Sequence, residues 1–227
     1  MRIGIFGGTF DPPHRGHVAL ARIARERLRL DRVLIAPVGS QPLKTGVSHS
    51  SFEDRVAMAQ LAFAGESHTE ISLIDAPRPD GHPNYTFDTI QRLQREGSAG
   101  DLFFCILGAD SFLSVAKWHR AADLLVLCDF IVGARPGFDL GRLTAALPDS
   151  IALANESGSD GLMVVGLRRQ DGCKSRLYLL PDLAEDISAT EIRGAVGDGI
   201  NKNGTTGAVL SPSVLNYIES HALYRQG

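Results

Sequence analysis

In the stretch GIFGGTFDPPHRGH, two histidines three residues apart, His14 and His17, follow closely on the glycine pair Gly7-Gly8. On a helix that spacing stacks two side chains one turn apart, so both imidazoles can reach one anionic group. Ahead of them, glycines let the backbone take unusual dihedrals and approach a ligand, so that amides around Thr9 and Phe10 can face an anion. A helix beginning near His14 adds the partial positive charge of its N-terminus. The chemistry this implies is phosphate binding. The plainer alternative is a tight turn followed by two surface histidines, since the pattern is neither a Walker loop nor GxGxxG.

A second candidate group is Ile187-Ser-Ala-Thr-Glu-Ile-Arg193. Ser188 and Glu191 have the spacing of a helix capping box, which accounts for those two alone. It does not account for Arg193. The hydroxyls of Ser188 and Thr190, the free amides of a first helical turn and the Arg193 guanidinium could together clamp a polyphosphate.

The elements that must position these residues read as alternating strands and helices. Ile3 to Phe6 is a short apolar run ended by glycines, and Leu20, Ile23, Ala24 and Leu28 then recur at helical spacing between His14 and Leu30. Val33 to Val38 supplies the next strand, completing a βαβ unit with a right-handed crossover. The alternation continues with helix Phe52–Ala64, a strand near Ile71–Ile74, helix Phe87–Glu96, strand Leu102–Leu107, a helix including Leu124 and Leu125, and strand Phe130–Val132. Beyond Gly137 the pattern loosens, with 155–161 as a surface loop. Leu162–Leu167 and Arg176–Leu180 flank Gln170-Asp-Gly172 as an antiparallel hairpin. Two helical patterns close the chain, one from about Ser188 and one over Pro212–His221, separated by a flexible Gly197–Gly207 segment.

This order predicts an α/β fold with a Rossmann-like, doubly wound, mostly parallel sheet and a small C-terminal helical segment. One domain is expected over 1–227, with the α/β core at about 1–186 and the helical part at about 187–227. Ligands of such sheets bind beyond the carboxyl ends of the strands. Gly7-Gly8-Thr9, Gly108-Ala-Asp110 and Arg135 all follow strands, so they are expected to converge.

Bulk composition narrows the function. With 23 basic and 26 acidic side chains, a formal charge of -3 and 22% charged residues, the chain offers no broad nucleic-acid face. Phosphate binding must be local. Cys105, Cys128 and Cys173 share no CxxC spacing, and the first two lie in apolar runs, as reduced buried thiols do. Met1-Arg2 leads into an apolar run without a signal-peptide pattern, and the apolar region from Ala121 to Ala134 is broken by Asp123 and Asp129. A cytoplasmic protein without nucleic-acid or membrane partners is expected, with homo-oligomerisation left open.

Taken together, the His14-Arg-Gly-His17 and Ser188–Arg193 pieces resemble the signature and the second phosphate motif of the nucleotidyltransferase superfamily that joins a phosphate to the α-phosphorus of ATP. More narrowly, the chain resembles the bacterial nicotinate-nucleotide adenylyltransferases. That resemblance rests on Gly7–His17, Lys44, Ser51–Arg55, Asn84–Thr89, Gly108–Ser111, Trp118, Arg135, Ile187–Arg193 and Tyr217–Tyr224. Two positions depart from it: Leu43 replaces a common histidine before Lys44, and Ala189 a common serine.

The resemblance implies adenylyl transfer from ATP to nicotinate mononucleotide, with His14, His17 and Arg193 as catalytic residues. His14 and His17 would meet the α- and β-phosphates, and Ser188, Thr190 and Arg193 the outer ones. Gly7, Gly8, Thr9, Phe10, Gly108 and Ile187 would line the ATP site, with Asp110 on the ribose or, alternatively, capping the next helix. For the mononucleotide it implies Tyr85 and Trp118 near the pyridine ring, Thr86 at the carboxylate, and Lys44 with Arg135 at the phosphate. The alternatives are a core tryptophan, a Thr86 cap on the Phe87 helix and a solvated Lys44. Magnesium would travel with ATP, because no acidic cluster offers a protein cage. Rival readings are a nicotinamide-mononucleotide or pantetheine-phosphate adenylyltransferase, or a nucleotide-binding regulatory module without turnover.

Overall fold

The computed structural model describes residues 1–40, 49–134, 141–156, 162–180, 189–197 and 205–225. In chain order these form β1 (Arg2–Gly8), α1 (Arg15–Leu28), β2 (Arg32–Pro37), α2 (Phe52–Phe63), β3 (Thr69–Ile71), α3 (Thr86–Glu96), β4 (Leu102–Gly108), α4 (Ala109–Phe112), a 3₁₀ turn (Val115–Lys117), α5 (Ala121–Leu124) and β5 (Asp129–Gly133). There follow α6 (Gly141–Ala145), β6 (Ile151–Glu156), β7 (Met163–Arg169), β8 (Lys174–Leu180), α7 (Ala189–Gly197), α8 (Thr205–Val209) and α9 (Pro212–Ser220).

The strands make one sheet in the order β3-β2-β1-β4-β5-β8-β7-β6. Neighbours from β3 to β8 are parallel, and β7 and β6 add an antiparallel margin. The central strands are apolar throughout because helices cover both faces. Successive residues of β4 show this division: Phe103, Cys105 and Leu107 pack with Phe87 and Ile90 of α3, while Phe104 and Ile106 pack with Leu20 and Ala24 of α1 and Ala59 of α2. A third apolar cluster joins Met58 of α2 to Ile192 and Val196 of α7 and to Val214, Leu215 and Ile218 of α9. It docks the C-terminal helices on α2.

Several segments differ from the sequence reading, among them the short α6, which it did not contain. The strand expected near Ile71–Ile74 ends at Ile71, because Ser72 makes a last bond to Ile35 and the chain turns, with the Ala76 N–H donating to the Leu73 carbonyl at 3.0 Å. Leu73 is exposed, so its apolar type was misleading. β6 takes in Asn155, which the sequence pattern assigns to a loop; its exposed Leu153 breaks any simple apolar run. α8 begins within the segment expected to be flexible and runs two residues past its end. The hairpin prediction holds, as β7 and β8 pair antiparallel around the turn containing Gly172, whose φ is +89°.

In this sheet β1 has β2 on one side and β4 on the other, so the chain reverses its direction of travel across the sheet between β1 and β4. The crevice outside the carboxyl ends of those strands is where open α/β sheets bind ligands. Phe6 lies opposite Ile106, which brings Gly7-Gly8 and Gly108 to that same end.

Candidate active site

The turn leaving β1 is not built as its glycines suggested. Among the described residues, Gly7 and Gly8 lack positive φ, and the left-handed residue is Phe10, at φ +51°. That conformation is strained for a bulky side chain and has to be held by its surroundings. The Phe10 ring is buried edge-on against Phe6, His17 and Phe63, with centroids 5.5, 5.1 and 6.2 Å away. Gly8 serves this packing by absence of a side chain, because a Cβ there would lie 3.2 Å from the Phe10 ring. A Cβ on Gly7 or Gly108 would meet nothing within 4 Å, so both border open space.

Arg55 of α2 holds the same turn from below. Its guanidinium is buried, and Nη1 donates to the carbonyls of Thr9 at 2.9 Å and Val38 at 2.7 Å. Its Nε has no hydrogen-bond partner among the described residues. Burial lowers the Arg55 pKa, opposed by the nearby Asp11 charge.

His14 is the N-cap of α1 in extended conformation, and its backbone N–H donates to Nδ1 of His17 at 3.2 Å. The imidazole centroids are 3.8 Å apart, so the one-turn spacing places the rings together as expected. Because Nδ1 accepts, neutral His17 carries its proton on Nε2, making that nitrogen a donor. The tautomer follows from this hydrogen bond.

Asp11 joins the histidine segment to the far end of the chain. Its buried carboxylate accepts from the His49 N–H at 2.8 Å, from Ser50 Oγ at 2.5 Å and from Tyr224 Oη at 2.6 Å. Its carbonyl accepts from Arg193 Nη1 at 2.7 Å, while Arg193 Nη2 donates to Thr190 Oγ1 at 3.1 Å. Arg193 and Thr190 are therefore brought to the histidine segment across the whole sequence. Burial, reinforced by donation to Asp11, pushes the Tyr224 phenol well up, so it is a hydrogen-bond donor.

The other predicted residues form a separate group beside α3 and β4. Asn84 ties two loops together: its side chain accepts from the Ser40 N–H and donates to the Ala76 carbonyl, at 3.2 and 3.1 Å. Tyr85, the N-cap of α3, stacks on His119 at 4.3 Å. Thr86 is the first helical residue rather than the cap. Trp118 is half-buried against the core, and its Nε1 donates to Ser114 Oγ at 3.1 Å. Asp75 is buried beneath this group and accepts from Thr89 Oγ1 at 2.5 Å, with burial raising its pKa against the effect of that bond. Asp110 lies inside α4, whose N-cap is Gly108, so the capping alternative is corrected.

Lys44, Arg135, Ile187 and Ser188 lie outside the described residues, and so does the capping-box alternative at Ser188. Asp11, Ser50, Arg55, Asp75, His119 and Tyr224 carry the local geometry without having been assigned roles from sequence. Asp11 sat inside the histidine motif and Arg55 inside a segment of the resemblance; nothing local told that their partners lie so far along the chain. Cys105 and Cys128 are buried, with the Cys105 thiol pushed up to about 12 by burial, while Cys173 is exposed on the hairpin turn. Among the described residues no three His, Cys, Asp or Glu side chains converge as a metal cage, and no helix is long and apolar enough to cross a membrane.

Fold and site define a nucleotidyltransferase: residues 5–195 match the Cytidylyltransferase-like family, and the chain belongs to it. A protein of Roseiflexus sp. (strain RS-1), named probable nicotinate-nucleotide adenylyltransferase, is 38% identical over 225 residues that cover 98% of each chain. One of the same name from Gloeobacter violaceus is 36% identical over 98% of this chain and 96% of its own. Within the family, the chain thus falls among the nicotinate-nucleotide adenylyltransferases. The fold matches the solved Plasmodium falciparum nicotinic acid mononucleotide adenylyltransferase complexed with NaAD, with a TM-score of 0.70 at 19% identity over 98% of this chain and 97% of that one.

Proposed function

We propose that this enzyme transfers the adenylyl group of ATP to nicotinate mononucleotide, producing deamido-NAD and pyrophosphate in NAD biosynthesis. The observation that carries the reading is the meeting of its two phosphate-type groups: Arg193 bonds the Asp11 carbonyl, three residues before the stacked His14–His17 pair. Full-length relatives bearing that activity in their names support it.

The nucleophile is a phosphate oxygen of the mononucleotide, anionic at neutral pH, so no general base is needed. Its bond to the α-phosphorus forms as the bond from that phosphorus to the bridging oxygen of pyrophosphate breaks. Catalysis then reduces to in-line positioning and to stabilising charge on the α-phosphate and the leaving group. His14 and His17 serve the α- and β-phosphates, the latter through its Nε2 proton. Thr190, Ser188 and Arg193 serve the outer phosphates. Gly7, Gly8, Thr9, Phe10, Gly108 and Ile187 line the nucleotide site, and Asp110 takes the ribose. Tyr85 and Trp118 flank the pyridine ring, Thr86 bonds its carboxylate, and Lys44 and Arg135 meet its phosphate. Adenylyl transfer from ATP draws on a divalent cation; we assign magnesium, arriving with the triphosphate as part of the substrate. The cytoplasm, where both nucleotides are found, is the proposed compartment.

The test is turnover with ATP and each pyridine mononucleotide, read as pyrophosphate and dinucleotide formed. A carboxylate only accepts hydrogen bonds, whereas an amide brings donors that a site offering hydroxyl and amide protons leaves unpaired. That mismatch costs roughly 1–3 kcal/mol, so kcat/KM should favour nicotinate mononucleotide about ten- to a hundredfold. An equal or reversed ratio overturns the choice of substrate, and absence of pyrophosphate with both overturns adenylyl transfer.

A further inference from the structure

The turn after α9, which belongs to neither phosphate motif, reaches into the site at Asp11. After α9 the backbone folds back sharply: the Leu223 N–H donates to the Ile218 carbonyl at 3.0 Å, and Ala222 and Tyr224 adopt left-handed φ of +51° and +62°. Residues with side chains resist that conformation, so two in three positions must be held by contacts elsewhere. The contact here is made by Tyr224, whose hydroxyl donates to Asp11 Oδ1 at 2.6 Å, shares that region with Ser50 Oγ at 3.4 Å, and lies 3.9 Å from Met58 Sδ.

Asp11 has two faces. Its carboxylate collects Tyr224, Ser50 and the His49 N–H, while its carbonyl orients Arg193. A carboxylate held by several donors fixes the plane of its own residue, and the direction of the neighbouring carbonyl follows from that. We propose that Tyr224 is a positioning residue for adenylyl transfer, acting through Asp11 to set the direction of Arg193 at the phosphates. The proposal rests on the adenylyl-transfer reading above. It gives the C-terminal segment a part in the reaction beyond covering α2.

Tyr224→Phe removes the hydroxyl and keeps the ring. Misplacing a phosphate clamp by a fraction of an ångström impairs the transition state more than ground-state binding, so kcat should fall roughly tenfold while the KM for ATP changes less than about twofold. If the effect passes through Arg193, it must shrink once Arg193 is altered. In an Arg193→Lys background the same Tyr224→Phe change should cost less than about twofold in the single-turnover rate, since coupled residues are non-additive. Ser50→Ala, which removes another donor to the same oxygen, should reproduce the kcat loss and keeps the question answerable if Tyr224→Phe folds poorly. A lower melting temperature with kcat unchanged in the folded variant overturns the proposal, and so do equal losses in both Arg193 backgrounds. Failure of the parent enzyme to release pyrophosphate would instead strike the underlying reading.

Discussion

Arg55→Met tests how the turn after β1 is supported. Replacing a buried charge by a hydrophobe of similar length is often neutral when its partners are replaced as well. Here the partners are the backbone carbonyls of Thr9 and Val38, which no substitution removes. Leaving a buried acceptor unpaired costs about 1–3 kcal/mol; with the half-buried Thr9 carbonyl at the low end of that range, the two together lose about 2–4 kcal/mol. Against this stands relief of a desolvated guanidinium whose Nε is already without a partner among the described residues, about 1–3 kcal/mol. Midpoint against midpoint, the lost bonds win by about 1 kcal/mol. For a chain of this size that lowers Tm by about 2–4 °C, read by calorimetry or thermal circular dichroism. Turnover below the new Tm should also fall, because Thr9 borders the strained Phe10 turn. A Tm within about 1 °C of the parent with unchanged kcat would show that Arg55 supports neither stability nor the turn.

His17→Ala should lower kcat on the order of 10²-fold or more while weakening ATP binding far less, since a donor to developing charge acts in the transition state; steady-state kinetics with nicotinate mononucleotide would check it, and near-normal kcat would remove His17 from the mechanism. Asp75→Asn should raise Tm at neutral pH while keeping an oxygen to accept from Thr89. The native pKa of Asp75 is raised above its ordinary 3.8, so its ionised form costs stability above the native value, and that cost vanishes as pH falls toward 3.8. The gain in Tm from Asn should therefore shrink through that acid window, and a gain independent of pH would assign the effect to packing instead.

The parallel sheet was legible because its strands are apolar on both faces and alternate with amphipathic helices, a pattern written within short windows. β6 was not, since an edge strand with exposed Leu153 lacks that pattern, and the short α8 hides among glycines. The same distinction runs through the site. His14 and His17 sit three residues apart, and their stacking follows from helical geometry. Phe10 shows the limit of local inference: glycines beside it suggested the special backbone, yet the left-handed residue is a phenylalanine stabilised by Phe6, His17 and Phe63. That preference is tertiary, and no propensity encodes it.

Asp11 shows why the remainder depends on folding. Its donors come from residues 49, 50, 193 and 224, so its geometry exists only when the helices after the sheet are docked. Docking draws on the Met58 cluster and on the Tyr217 hydroxyl donating to Asp54 at 2.9 Å. α1, with the histidines, is held independently by the cluster between Leu20, Ala24, Phe104 and Ile106. The two phosphate-type groups therefore rest on different apolar clusters, and Asp11 is bonded to both sides. Local opening of the smaller cluster would separate Arg193 from the histidines while the sheet stays folded, because regions held by fewer buried apolar contacts open at lower free energy. The bonds at Asp11 oppose that separation directly, because this one residue takes donors on both its carboxylate and its carbonyl from distant parts of the chain.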